Sequence, residues 1–125
     1  MKPRALPGKE RFARLRLARS EQIGPSTYRR LIHRYGSAGE ALPRLPDLAK
    51  RGGRSRPLVA APLKDIEAEL AYAAKLGAHH LFLNEPDYPL ALAAIEDAPP
   101  CIVLLGDPAR LAQPCVALVG ARNAS

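Results

Sequence analysis

The sequence predicts an α/β chain in two parts. Residues 1–61 form an all-helical bundle, and residues 62–125 open a parallel-sheet domain that is incomplete at residue 125. Three observations carry this prediction. Apolar residues recur at spacings of three and four through residue 76, the period of helices with one buried face. Beyond it, the short runs His80–Leu83, Cys101–Leu105 and Cys115–Val119 are apolar on both faces and separated by helical connections, which is how strands covered on both sides read. The charge is also divided: residues 1–56 carry fifteen Lys or Arg against four acids, a net +11, whereas the remainder carries four against eight, within a total of +7.

Residues 1–8, with Pro3 and Pro7 and no apolar period, read as a disordered basic tail. Phe12, Leu15 and Ala18 then define one face of a helix from Glu10 to about Gln22, with Arg11, Arg14 and Arg19 on its cationic side. Gly24 and Pro25 separate it from a second helix running through Tyr35, which Gly36 ends. Ser37 is an N-cap for a short helix from Ala38 to Leu42, broken at Pro43; Pro46 opens another, Asp47 to Arg51. Gly52–Pro57 reads as an exposed basic linker. In the second part, Leu63, Ile66 and Leu70 mark a helix from Pro62 to Leu76 with Gly77 as its cap. The strand His80–Leu83 follows, then a turn at Asp87–Pro89 and a short helix ending near Ile95. Pro99 and Pro100 lead into the strand Cys101–Leu105, and a helical turn after Gly106 precedes the third strand. A strand and glycine turn ordinarily lead into a crossover helix and another parallel strand, so the 125 residues read as the N-terminal portion of a longer protein.

No apolar run reaches the roughly 18–20 residues a membrane-spanning helix needs, and the first twenty residues carry several arginines instead of an apolar signal core. The expectation is a cytoplasmic protein with free thiols at Cys101 and Cys115. A basic first half raises a polyanion as partner, and a solvated basic face reads the same way.

The turn Gln22–Ser26 between two helices resembles a helix-hairpin-helix, in which first-turn N–H groups face a phosphate; Gly24, Arg29 and Arg30, with Arg34, are the secondary contacts it would offer. A plain helix-packing turn is the alternative, since Gln22 stands where a small residue is usual and Pro25 has no N–H. His79 and His80 point to opposite faces of a strand and cannot converge on one metal. Glu85, Asp87, Glu96 and Asp97 read as caps or water-facing turn residues. No catalytic set, metal site or cofactor site emerges. The strongest pattern is Val116–Ser125: a buried strand delivers Gly120 to a sheet edge, Arg122 offers a forked cation for phosphate, and Ser125 can cap a following helix.

Several segments together resemble the DNA-processing protein A family, also called Smf. They are Asp87, Tyr88, Pro89, Leu90 and Leu92; Pro99, Pro100 and Cys101–Gly106; and the Gly-x-Arg ending with Ser125. The resemblance implies a SAM-like, helix-hairpin-helix-like helical domain followed by the start of an extended Rossmann-like domain. It also implies single-stranded DNA binding, loading of RecA recombinase in natural transformation or recombination, a homodimer in the full protein, and no enzymatic role. Arg122 matches the family's phosphate-contacting arginine, with Gly120 shaping the loop and Ser125 at the next helix start. Two alternatives remain at this point: a nucleotide-cleaving Rossmann enzyme of the lysine-decarboxylase-like group, and a helical module that binds only protein.

Overall fold

The computed structural model describes residues 3–53 and 56–123. Its helical part comprises α1 (Gly8–Arg19), α2 (Pro25–Tyr35), α3 (Ala38–Ala41) and α4 (Leu45–Arg51), with a 3-10 turn, Leu42–Arg44, between the last two. Helix α2 starts on Pro25, whose fixed φ suits a first turn. It stops at Gly36, which takes the left-handed conformation (φ 81°) and donates its N–H to the Ile32 carbonyl at 2.8 Å. The Ser37 hydroxyl accepts the Glu40 N–H at 3.2 Å, capping α3. Pro43 sits inside the 3-10 turn, so the chain continues winding through the position where a break was expected.

Then come α5 (Leu63–Leu76), β1 (Ala78–Phe82), α6 (Leu90–Ala93) and β2 (Cys101–Leu105), with a further 3-10 turn over Pro108–Ala112. The architecture is α/β, helical first and sheet-bearing second, as the sequence predicts. The pairing corrects one expectation: β1 and β2 are antiparallel, Ala78 opposite Leu105 and Phe82 opposite Cys101. Parallel pairing needs a crossover of roughly a dozen residues or more, usually helical, to carry the chain back along the sheet. Helix α6 has 4 residues. Asn84 adopts φ 75° at the start of the connection, and the Leu83 N–H extends the antiparallel ladder to the Pro100 carbonyl at 3.0 Å.

A second correction concerns Cys115–Val119, which has no regular structure. Val116, Leu118 and Val119 are each at least 90% exposed. An apolar run becomes a strand only where a neighbour completes its ladder, and none of the described residues does so. The tail expectation changes as well, for Arg4 donates its N–H to the Asn84 carbonyl and Leu6 packs into a core. Of the expected linker Gly52–Pro57, Arg54 and Ser55 lie outside the described residues.

Helix α1 positions everything else. Leu17 lies in a core with Ile23, Tyr28, Leu31 and Leu45, whereas Leu15 lies in another with Ala61, Ile66, Phe82 and Cys101. Residues two apart on a helix are turned by about 200°, so both flanks of α1 are buried, and Leu15 and Leu17 are each 0% exposed. Leu81, Leu83, Tyr88 and Ala98 form a third cluster behind the sheet.

Candidate nucleic-acid interface

Which cations are available to a polyanion depends on which are already engaged, and all four arginines of α1 are engaged, leaving its exposed Lys9. Arg11 pairs with the Glu85 carboxylate and donates to the His80 carbonyl at 2.7 Å. Arg14 is buried, pairing with Glu10 at 2.9 Å. Arg16 donates to the Ala61 carbonyl at 2.7 Å. Arg19 forms a two-pronged pair with Glu69, 3.0 Å from Nε and 2.8 Å from Nη2. The cationic side expected of α1 is therefore a seam of intramolecular pairs, buried at Arg14 and exposed at Arg19. Its hydrogen bond to Arg19 holds the Glu69 carboxyl below the usual glutamate range, with His80 at 3.1 Å adding to the effect.

Glu85 also departs from its expected role at a solvated turn. It is buried, accepting the Leu6 N–H at 3.2 Å and the Phe82 N–H at 3.3 Å beside Arg11. A cleft of about 540 Å³ opens beside it, between α1, α5 and β1. Arg11 and Glu85 in its wall neutralise each other, and the remaining charge on its lining is the acidic Asp87, which does not suit a phosphate. His79 is exposed and His80 buried on the alternating faces of β1, as neighbouring strand residues must be.

In the hairpin Gln22–Ser26, Gln22, Gly24 and Ser26 are exposed, Pro25 is half-buried and Ile23 is buried. Gln22 adopts φ 65°, a left-handed geometry at home in glycine, which is why a small residue is usual there. Gly24 is the N-cap of α2, with no side-chain cap. Helix geometry leaves the first-turn N–H groups of Ser26 and Thr27 without intrahelical acceptors, and Pro25 has none to offer. Of the two arginines beside this turn, Arg29 donates to the Ile95 carbonyl at 3.0 Å and ties α2 to the end of α6. Arg30 is exposed, with Thr27 Oγ1 at 3.5 Å as its one hydrogen-bond partner among the described residues.

At the far end of α2, the guanidiniums of Arg34 and Arg44 lie over the Tyr35 ring, 5.4 and 5.2 Å from its centroid. Sequence reasoning attached no role to Arg44, because only the 3-10 turn brings it back beside α2. Gly120 and Arg122 are exposed, with nothing within 4 Å of where a Cβ on Gly120 would stand. Ser125 lies outside the described residues.

Set beside known families, the helical part is matched over residues 8–72 by the model for the DprA-like N-terminal HHH domain, and residues 79–125 by that for DNA recombination-mediator protein A. The chain belongs to the DprA family. That family is described by mediation of DNA recombination and not by a catalysed reaction. DNA and the recombination machinery are the partners such a role suggests. No curated protein matches the chain. In this DprA-family chain the second match includes the exposed Gly120–Arg122 run, and the first ends inside α5, beyond the linker. None of the helices among the described residues is long and apolar enough to cross a membrane.

Proposed function

We propose that this chain supplies part of a single-stranded DNA-binding surface, and that the protein acts by loading RecA recombinase on that strand during natural transformation or recombination. In this reading it is a cytoplasmic binding protein, homodimeric in its full form, and not an enzyme. Residues 1–61 serve as the helical module and residues 62–125 contribute to a Rossmann-like DNA-binding domain. The observation that carries the reading is the recombination-mediator match over residues 79–125, which includes the exposed cation Arg122 beside Gly120.

A guanidinium there suits a phosphate by its forked donors, and a backbone contact of this kind is indifferent to base sequence. Gly120 leaves the main chain open to an anion, and Ser125 begins the segment that would follow. Each phosphate neutralised on a single strand contributes about 0.7 to the slope of log affinity against log salt. Arg122→Ala is therefore expected to weaken binding to single strands of any sequence and to lower that slope by about 0.7. Equal affinity and slope for parent and variant in a salt titration would remove Arg122 from the site. For the loading step, the full protein should speed RecA assembly on single strands and Arg122→Ala should slow it, followed by light scattering.

A further inference from the structure

We infer that Arg34 and Arg44, gathered at the ring of Tyr35, with Arg30 one turn away, form a second phosphate-contact site for single-stranded DNA on the helical unit. This rests on the single-stranded DNA reading above and adds to it a surface built from α2 and the turn after α3. Arg34 and Arg44 are both exposed and make no salt bridge among the described residues, in a unit whose α1 arginines are bound to carboxylates or carbonyls. Arg30 and Arg34 are separated by four residues on α2, a spacing at which like charges repel. A cation near the C-terminus of α2 is favoured by the helix dipole, which accounts for Arg34. It does not account for Arg44, which belongs to another element and converges on the same ring.

Tyr35 itself packs against the first core, so its ring is a fixed platform. Stacking on that platform orients two flexible guanidiniums before any ligand arrives, which lowers the entropy lost on binding. Two oriented, unneutralised forks at close quarters suit successive phosphates of one strand.

The test is equilibrium binding of labelled oligothymidylate to the 125-residue chain across a salt series. The parent is compared with Arg34→Gln/Arg44→Gln, Tyr35→Leu and Arg122→Ala, all checked by circular dichroism for an unchanged fold. The double variant is expected to lower the salt slope by about 1.4, two contacts at about 0.7 each. Tyr35→Leu should keep the slope nearer the parent's and weaken affinity severalfold, because the charges remain and their orientation is lost. A slope and affinity unchanged in the double variant, with loss in Arg122→Ala, overturns this site and leaves the single-strand reading intact. Loss in the double variant with none in Arg122→Ala supports this site and removes Arg122. If the parent chain fails to retain the oligonucleotide at low salt, this site falls and a protein partner becomes the better account of the patch, whereas the single-strand reading falls only if the full protein fails as well.

Discussion

Glu85 is 6% exposed at the turn after β1, and both of its oxygens are in use. Two backbone N–H groups and the Arg11 guanidinium depend on one carboxylate, so an amide in its place turns a donor toward donors. Glu85→Gln should therefore cost about 2–3 kcal/mol, an unsatisfied polar group plus a weakened ion pair. A shift in the urea midpoint at constant m-value measures it; a change within about 0.5 kcal/mol is what a merely surface acid would give. The two cysteines make a second residue-scale contrast. Burial pushes the Cys101 thiol up to about 11, whereas Cys115 is exposed. Since the thiolate is the nucleophile, iodoacetamide near neutral pH should modify Cys115 and spare Cys101 in the folded chain, and modify both in denaturant, read by peptide mass. The free-thiol expectation came from compartment and composition; which thiol is reactive required the burial pattern.

At the scale of elements, α1 shows where periodicity stops informing. Phe12, Leu15 and Ala18 correctly mark an apolar face, yet Leu17 and Arg14 are buried too, because the helix is clasped from two sides. A one-sided helix and a clasped one differ in sequence by a few positions that read as ordinary polar residues. The seam along α1 also titrates. With its folded pKa lowered chiefly by Arg19, Glu69 contributes stability above its unfolded value, and that contribution is lost as pH falls through the folded value. The pair is partly exposed, so its contribution at neutral pH is at most about 1 kcal/mol. Denaturation monitored from neutral pH down through the carboxylate range should show the parent losing more stability than Arg19→Gln, the two converging in acid. Parallel profiles would mean the pair contributes nothing. Helix ends, by contrast, were legible: Pro25 and Gly36 bound α2 as local backbone chemistry requires. Strand direction was not, since the connection over residues 83–100 is long enough for either pairing and only the tertiary register settles it.

For the whole molecule, the +11 of the first fifty-six residues overstates what faces solvent. Arg11 and Arg19 reach across the sequence to Glu85 and Glu69, so the opposite charges of the two halves partly neutralise each other inside the fold. Composition counts charges; only tertiary pairing says which are left over. Of the exposed cations left over among the described residues, Arg30, Arg34 and Arg44 gather around α2 instead of α1. The Arg122 run was read from its local pattern and the family from the phrase Asp87–Ser125. The Tyr35 cluster could not be, because Arg44 reaches that ring only through the 3-10 turn.

The clasped helix also sets an order of events during synthesis. Helix α1 leaves the ribosome before the other described elements, and Leu17 finds its neighbours once residues up to Leu45 have followed. Leu15 must wait for Phe82 and Cys101. At about 5–20 residues per second, the nascent chain spends seconds with one flank of its first helix bare. During that interval Leu15 lacks its core partners, and a pause placed before Cys101 would prolong the exposure.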